Sequence, residues 1–262
     1  MKYKKIFAEL FFFAAFIILE IETAFAWDYI GHAEASRSVK IRPEISAKIT
    51  KIHFNEGTSV KKSGILFTID TAEIQAEVSL KKAELSSAQA KLDGAEKYLS
   101  RLKTTDKRGV SASDIDIAGS EVKQAQAAVG EAKAALKIAQ VQLNRTKITA
   151  PFDGKTGKIN FYQGSYVSPE DILCEIVQIN PIRILFAMPD RDYLIFKNSQ
   201  KNFKYELLLA DGSLFSGKIE KDFEDNSMNP ETGTINIWLK ADNEDGILLP
   251  GSLVRVRVTE SE

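Results

Sequence analysis

Two different periods of apolar residues run along this chain and divide it. In Lys51-Ile52-His53-Phe54, and again in Lys158-Ile159-Asn160-Phe161, apolar and polar residues alternate, the period of a half-buried strand. Each run leads to a glycine turn, at Gly57 and at Gly164, and then to a second apolar stretch. Between them, over residues 71–146, there is no proline and the period becomes seven. Val78, Leu85, Leu92 and Leu99 fall seven apart, with Ala88, Ala95 and Leu102 in a companion seam. A second set follows: Ile115, Val122, Val129, Leu136 and Leu143, with Ala118, Ala125, Ala132, Ala139 and Thr146 beside it. Heptads sustained over two segments predict two coiled-coil helices. The polar break at 104–110 holds Gly109 and folds them back as an antiparallel hairpin, and Ser111 with Asp114 three residues on predicts a cap on the second helix. At 1.5 Å per residue, helices of about 30 residues reach roughly 45–50 Å. Gly94, Gly119 and Gly130 each cost about 1 kcal/mol of helix propensity, so the hairpin depends on its clamped base or a partner.

The two alternating segments are copies of one another. Residues 51–60 align with 158–167 at an offset of 107, with Lys, Ile, Phe, Gly and Val coinciding. Leu66 continues the register to Leu173, and Ile69 to Ile176. A unit of about 30 residues has too little core to stand alone. The two copies therefore share one, expected from Ile52, Phe54, Val60, Ile69, Ile159, Phe161, Val167 and Ile176. Beyond them the chain reads as all-β, with strands at 182–188, 205–209, 215–221, 234–240 and 254–258 and hairpin turns at 210–213 and at Pro250-Gly251, a spacing that fits a small barrel or sandwich.

The N-terminus follows neither period. Lys2, Lys4 and Lys5 precede an apolar run over 10–19, and Ala24-Phe25-Ala26 follows, the pattern of a secretory signal peptide. The run is too short to span a bilayer, so the mature chain is expected to start at Trp27 and to be exported. Composition then removes whole classes of function. With 35 Lys+Arg against 36 Asp+Glu the net charge is −1, without the basic excess of a nucleic-acid binder. One cysteine, Cys174, excludes an internal disulfide framework and a multi-cysteine metal site, and Cys174 is expected in the core. Two histidines, His32 and His53, leave little for a His-based centre, and neither a G-x-S-x-G motif nor a triad is present. No catalytic residue, metal ligand or cofactor is expected. The acidic run at 220–225 reads as a solvated strand end.

This order of parts resembles the periplasmic adaptor, or membrane fusion protein, family of tripartite efflux pumps. The segment Val39-Lys40-Ile41-Arg42-Pro43-Glu44-Ile45-Ser46 resembles the lead-in to that family's lipoyl-like domain. Glu56-Gly57-x-x-Val60 with Leu66-Phe67-x-Ile69-Asp70 resembles the end of its first half. Thr149-Ala150-Pro151-Phe152-Asp153-Gly154-x-x-Gly157 resembles the start of the second. Thr232-Gly233-Thr234-Ile235 and Leu248-Leu249-Pro250-Gly251-x-x-Val254-Arg255-Val256 are similar to the barrel's closing segments and favour the branch serving resistance-nodulation-division (RND) transporters. The resemblance implies an α+β, mainly β fold: a lipoyl-like module split by a helical hairpin, then a β-barrel. The expected divisions are a signal peptide at 1–26, a first barrel strand at 27–38, lipoyl-like halves at 39–70 and 147–179 around a hairpin at 71–146, a barrel at 180–258 and a tail at 259–262. The membrane-proximal domain usual in that branch is expected to be absent.

The resemblance also implies partners: an inner-membrane transporter of RND type, an outer-membrane channel, and further copies of the chain in a ring, a trimer or a hexamer. The family's hairpin tip carries an Arg, a Leu four residues later and a Ser seven after that. Ser111 fits the downstream part, while Arg101 stands ten residues before it rather than eleven and Thr104 holds the Leu spacing, with Leu102 nearby. Arg101, Leu102 and Ser111 are thus the expected channel-docking residues. The alternatives are an adaptor for a type I secretion or ATP-binding-cassette system, or a truncated adaptor without transporter coupling. A lipoyl or biotin carrier needs a modifiable Lys at the turn that the hairpin replaces. A copper-handling adaptor needs methionine clusters, and only Met1, Met188 and Met228 are present.

Overall fold

A computed structural model describes residues 26–104, 111–199 and 202–261. The expected signal peptide (but for Ala26), the expected break between the helices (but for Thr104) and Glu262 lie outside the described residues. The chain divides into two units, one of residues 38–178 and one of the segments on either side.

The 38–178 unit contains β2 (Ala47–Ile52), β3 (Ser59–Val60), β4 (Ile65–Ile69), β5 (Lys147–Thr149), β6 (Gly154–Thr156), β7 (Tyr166–Val167) and the start of β8 (Cys174–Pro189), with two helices between β4 and β5. One sheet runs β5-β4-β2-β7; separately, β3 pairs with β6 and β6 with β8. Strands of the first copy thus pair with strands of the second: β4 with β5, β2 with β7, β3 with β6. The hydrogen bonds repeat at the sequence offset. The amide of Gly57 donates to Thr156 O and that of Gly164 to Ile49 O; His53 N–H donates to Leu66 O and Asn160 N–H to Leu173 O. Gly57 (φ 72°) and Gly164 (φ 96°) both adopt the left-handed backbone that excludes most side chains, which is why both copies keep glycine there.

Ile69, Ile159, Val167 and Ile176 are buried in this unit's core, and Ile52, Phe54, Val60 and Phe161 are half-buried against it. Leu66 and Leu173 occupy matching buried positions, as do Phe67 and Cys174. Cys174 is wholly buried in this core, and that burial pushes its thiol up to about 12.

The other unit is a six-stranded sheet in the order β10-β11-β8-β1-β12-β9, from β1 (Ala26–Ile41), β8, β9 (Asn202–Leu208), β10 (Ile219–Glu224), β11 (Thr234–Ala241) and β12 (Leu253–Ser261). Every second residue points inward: Ile182, Ile184, Phe186 and Met188 on β8, Ile235, Ile237 and Leu239 on β11, Val254, Val256 and Val258 on β12.

Four details depart from the sequence reading. The region is not all-β: a helix spans Asp190–Asn198, with Asp190 and Asp192 in its first turn, Lys197 in its last, and Tyr193 and Phe196, three apart, packed on the core. A search for period-two alternation passes over so short a helix. The strand expected at 215–221 starts instead at Ile219. Phe215 N–H bonds back to Leu207 O across the 210–213 turn, and a Cβ at Gly217 would lie 2.1 Å from Asp242 O. Pro250-Gly251 does form a turn, but it joins β11 to β12, which are not neighbours in the sheet. The expected tail is strand: β12 runs on to Ser261, with Thr259 opposite Lys204 and Glu260 opposite Phe203.

The short helix is fastened by charge as well as packing. The Glu224 carboxylate accepts from Lys197 at 2.8 Å and from Lys221, and these two cations hold its pKa at about 2, below the usual 4.5. A carboxylate whose folded pKa is depressed stabilises the fold fully above its unfolded value and loses that contribution as pH falls.

Two outcomes follow. The melting temperature of the wild type should drop from pH 5 to pH 2 more steeply than that of Glu224→Gln, measured by circular dichroism; equal slopes would refute the role of Glu224. Replacing residues 71–146 by a short Gly/Ser linker should leave a cooperative thermal transition for the remaining β protein, because the flanking ends already meet where Thr68 pairs with Lys147 across β4 and β5. A non-cooperative melt would show that the paired copies need the helices to fold.

Candidate functional site

The two helices, α1 (Ala72–Thr104) and α2 (Ala112–Arg145), form the hairpin predicted from the heptads. On α1 the face turned from solvent carries Ile74, Val78, Lys81, Leu85, Ala88, Leu92, Ala95, Leu99 and Leu102. On α2 it carries Ile115, Ala118, Val122, Ala125, Val129, Ala132, Leu136, Ala139 and Leu143. These positions alternate by threes and fours, as a coiled-coil seam requires. Leu92, Ala118 and Ala139 are buried, and the small alanine side chains allow a close approach of the backbones. The remaining faces are polar, with surface ion pairs such as Lys97–Asp93 at 2.6 Å that add little individually.

The base of the hairpin is tied down by specific bonds. Asp70 Oδ1 accepts from the first helical amide, Ala72, at 3.0 Å. Thr146, wholly buried, ends α2 with its hydroxyl donating to Leu143 O at 2.6 Å. Arg145 pairs with Glu44 at 2.9 Å, joining α2 to the segment ahead of β2.

At the far end, Ser111 is the N-cap of α2. Its Oγ accepts from the Ser113 amide at 3.2 Å, and Asp114 Oδ2 accepts from the Ser111 amide at 3.1 Å, completing a capping box. Thr104 closes α1 by donating to Ser100 O and Arg101 O, both at 3.0 Å. Among the three expected docking residues, Arg101 and Ser111 are exposed, whereas Leu102 is half-buried in the seam. The Arg101 guanidinium lies 6.0 Å from the centroid of the Tyr98 ring. Sequence reasoning passed over Tyr98 and Ile117, which are 45% and 56% exposed. Each directly precedes a seam position, Leu99 and Ala118, and a large apolar residue one step off the seam was the signal available.

Elsewhere His53 is exposed, its imidazole 2.8 Å from the Thr68 hydroxyl, and His32 sits beside Glu34. In the 220–225 run Glu220 pairs with Lys218 and Asp222 with Arg183. Among the described residues no three His, Cys, Asp or Glu side chains come together to hold a metal, and no helix is long and apolar enough to cross a membrane. The geometry is that of a two-helix rod whose second helix opens on a capping box.

Residues 37–178 match the RND MFP barrel-sandwich hybrid domain, and residues 181–262 match the beta-barrel domain of RND MFPs. The chain is 32% identical over 242 residues to the multidrug efflux pump subunit AcrA of Escherichia coli K12, covering 88% of this chain and 61% of that protein. It is 29% identical to the multidrug resistance protein MdtA of Xenorhabdus bovienii (87% and 57% covered) and 27% identical to the efflux pump periplasmic linker BepD of Brucella suis (89% and 62% covered). The chain thus spans about three-fifths of the length of these relatives. In fold it is similar to a putative efflux transporter from Bacteroides eggerthii (TM-score 0.67, 21% identity, 90% of this chain and 69% of that one). It is also similar to a MacA–MexA chimera carrying the Pseudomonas aeruginosa MexA α-hairpin (TM-score 0.64, 20% identity, 91% and 83%).

The capping box makes a local prediction. Ser111→Ala should weaken the start of α2 by about 0.5–2 kcal/mol, seen as faster hydrogen exchange of amides 113–116, with exchange at the base, around Leu143 and Thr146, unchanged. Uniform acceleration along α2 would show that the cap supports the whole hairpin.

Proposed function

Because the chain belongs to the family of RND membrane fusion proteins, we propose that it is a periplasmic adaptor linking an inner-membrane transporter to an outer-membrane channel in a tripartite efflux system for small molecules. The observation that carries this reading is the hairpin: some thirty residues per helix, tied among the described residues at its base, with a polar outer face and a capping box at Ser111 where the second helix begins. Such a rod offers a short end for contact with helices of a partner. The relatives' names, an efflux pump subunit and an efflux pump periplasmic linker, support the same assignment.

In this reading the signal peptide exports the chain to the periplasm, the transporter is of RND type, and several copies assemble side by side in a ring. The protein performs no chemistry; it couples and seals. Arg101 and Ser111 present the exposed part of the tip contact. Leu102 stands beside them, half-buried in the seam. Ser111 serves both as cap and as docking surface, so a bulky cation there would block the contact at the cost of only one cap.

Ser111→Arg should therefore abolish efflux-dependent resistance in cells that rely on this adaptor, with the thermal transition of the purified protein nearly unchanged. Charge reversals at the exposed mid-hairpin positions Lys91 and Lys133 should leave resistance at the wild-type level. Wild-type resistance from Ser111→Arg at equal expression would remove the tip as the docking surface.

A further inference from the structure

A groove of about 660 Å³ lies at the foot of the hairpin, walled by the segment ahead of β2, the C-terminal turn of α2 and β5. Its charge is one-sided. Lys40, Arg42, Arg145 and Lys147 line it, against a single carboxylate, Glu44, in a chain whose overall net charge is −1. Glu44 is taken up by Arg145, while Lys40 and Lys147 enter no ion pair among the described residues. Helix polarity explains part of this, since the end of α2 carries about −0.5 charge and attracts cations. It does not explain all: four cations less one carboxylate and half a charge leave an excess of about +2.5. Beneath the cations the groove has apolar walls, formed by Ile41 and Ile148 in the core's edge and by the part-exposed Val141.

We propose that this groove binds a phosphate group, as a phosphomonoester or pyrophosphate, with the apolar wall available to whatever carries it. The volume is that of a small-ligand site. One phosphomonoester brings about −1.5 to −2 charge into a single point, close to the excess present. An acidic peptide would have to converge three carboxylates on the same small concavity. Arg42 and Arg145 supply planar guanidinium groups at its rim, and Lys40 and Lys147 the point charges that such an oxyanion takes.

Isothermal titration of the full exported chain with pyrophosphate and with dihexanoyl phosphatidic acid, at low salt, tests this. Both should bind, and dihexanoyl phosphatidylcholine should not. The double variant Lys40→Gln/Lys147→Gln should lose at least about tenfold in affinity for both probes, since two charge-assisted contacts go. Glu44→Gln, which unburdens Arg145, should bind several-fold more tightly, an effect that loss of fold cannot mimic. Tighter binding of the lipid than of pyrophosphate identifies a lipid headgroup as the source; equal binding identifies free phosphate, and either result supports the site. Undiminished binding by the double variant, no heat from either probe, or hexaglutamate binding as tightly as pyrophosphate would overturn it.

Discussion

In the 38–178 unit each repeat copy completes its sheets with strands of the other. A buried or half-buried strand must place its amides and carbonyls in a ladder, and β4, β2 and β3 find theirs in β5, β7 and β6. The offset of 107 residues between equivalent bonds expresses that constraint. Gly57 and Gly164 reach across to Thr156 O and Ile49 O, so each turn is completed by the partner copy. Because the pairing brings Ile69 and Thr146 together, any insert whose two ends meet can occupy the space between the copies, and a helical hairpin is such an insert.

Sequence periodicity carried most of this. The heptad positions from Val78 to Leu102 and from Ile115 to Leu143 all lie on the face turned from solvent, and the Ser111–Asp114 cap is present with both of its bonds. Of the repeat's residues, Ile69, Ile159, Val167 and Ile176 lie in one buried cluster, and Ile52, Phe54, Val60 and Phe161 pack against it. What was hidden has a common cause: it depends on partners far away in the chain. The helix over Asp190–Asn198 shows only one apolar pair at helical spacing, and its stability comes from Phe203 stacked on Phe196, from Tyr29 donating to Asp192 and from Lys197 on Glu224. Residues 215–218 lie outside β10: Phe215 N–H bonds to Leu207 O, and Gly217 sits where a Cβ would meet Asp242 O, which no local pattern records. Leu102 joined the expected tip through its nearness to the family's Leu position, and the heptad count also puts it in the companion seam.

The barrel unit shows how little is asked of each strand when alternation is kept. Inward residues on β8, β11 and β12 are almost all Ile, Val, Leu, Phe or Met, and the outward ones are free to pair charges, as Arg257 does with Asp28 at 3.0 Å. That guanidinium holds the Asp28 carboxyl below its ordinary range and joins the first described strand to the last. Such exposed pairs set register more than stability.

The meeting of Ile69 and Thr146 also bears on how the chain finds its fold. Closing a flexible loop of about 76 residues costs roughly 4 kcal/mol of chain entropy before any strand of the second copy can pair with the first. A helical hairpin avoids most of that cost. Each turn paired from the loop end toward the base shortens the open loop, so the closure left for the β copies grows cheaper as the helices pair, and pairing of the copies in turn clamps the base. The long insert, which by length alone would make this a slow, high-contact-order topology, instead shortens the effective distance between its ends to almost nothing.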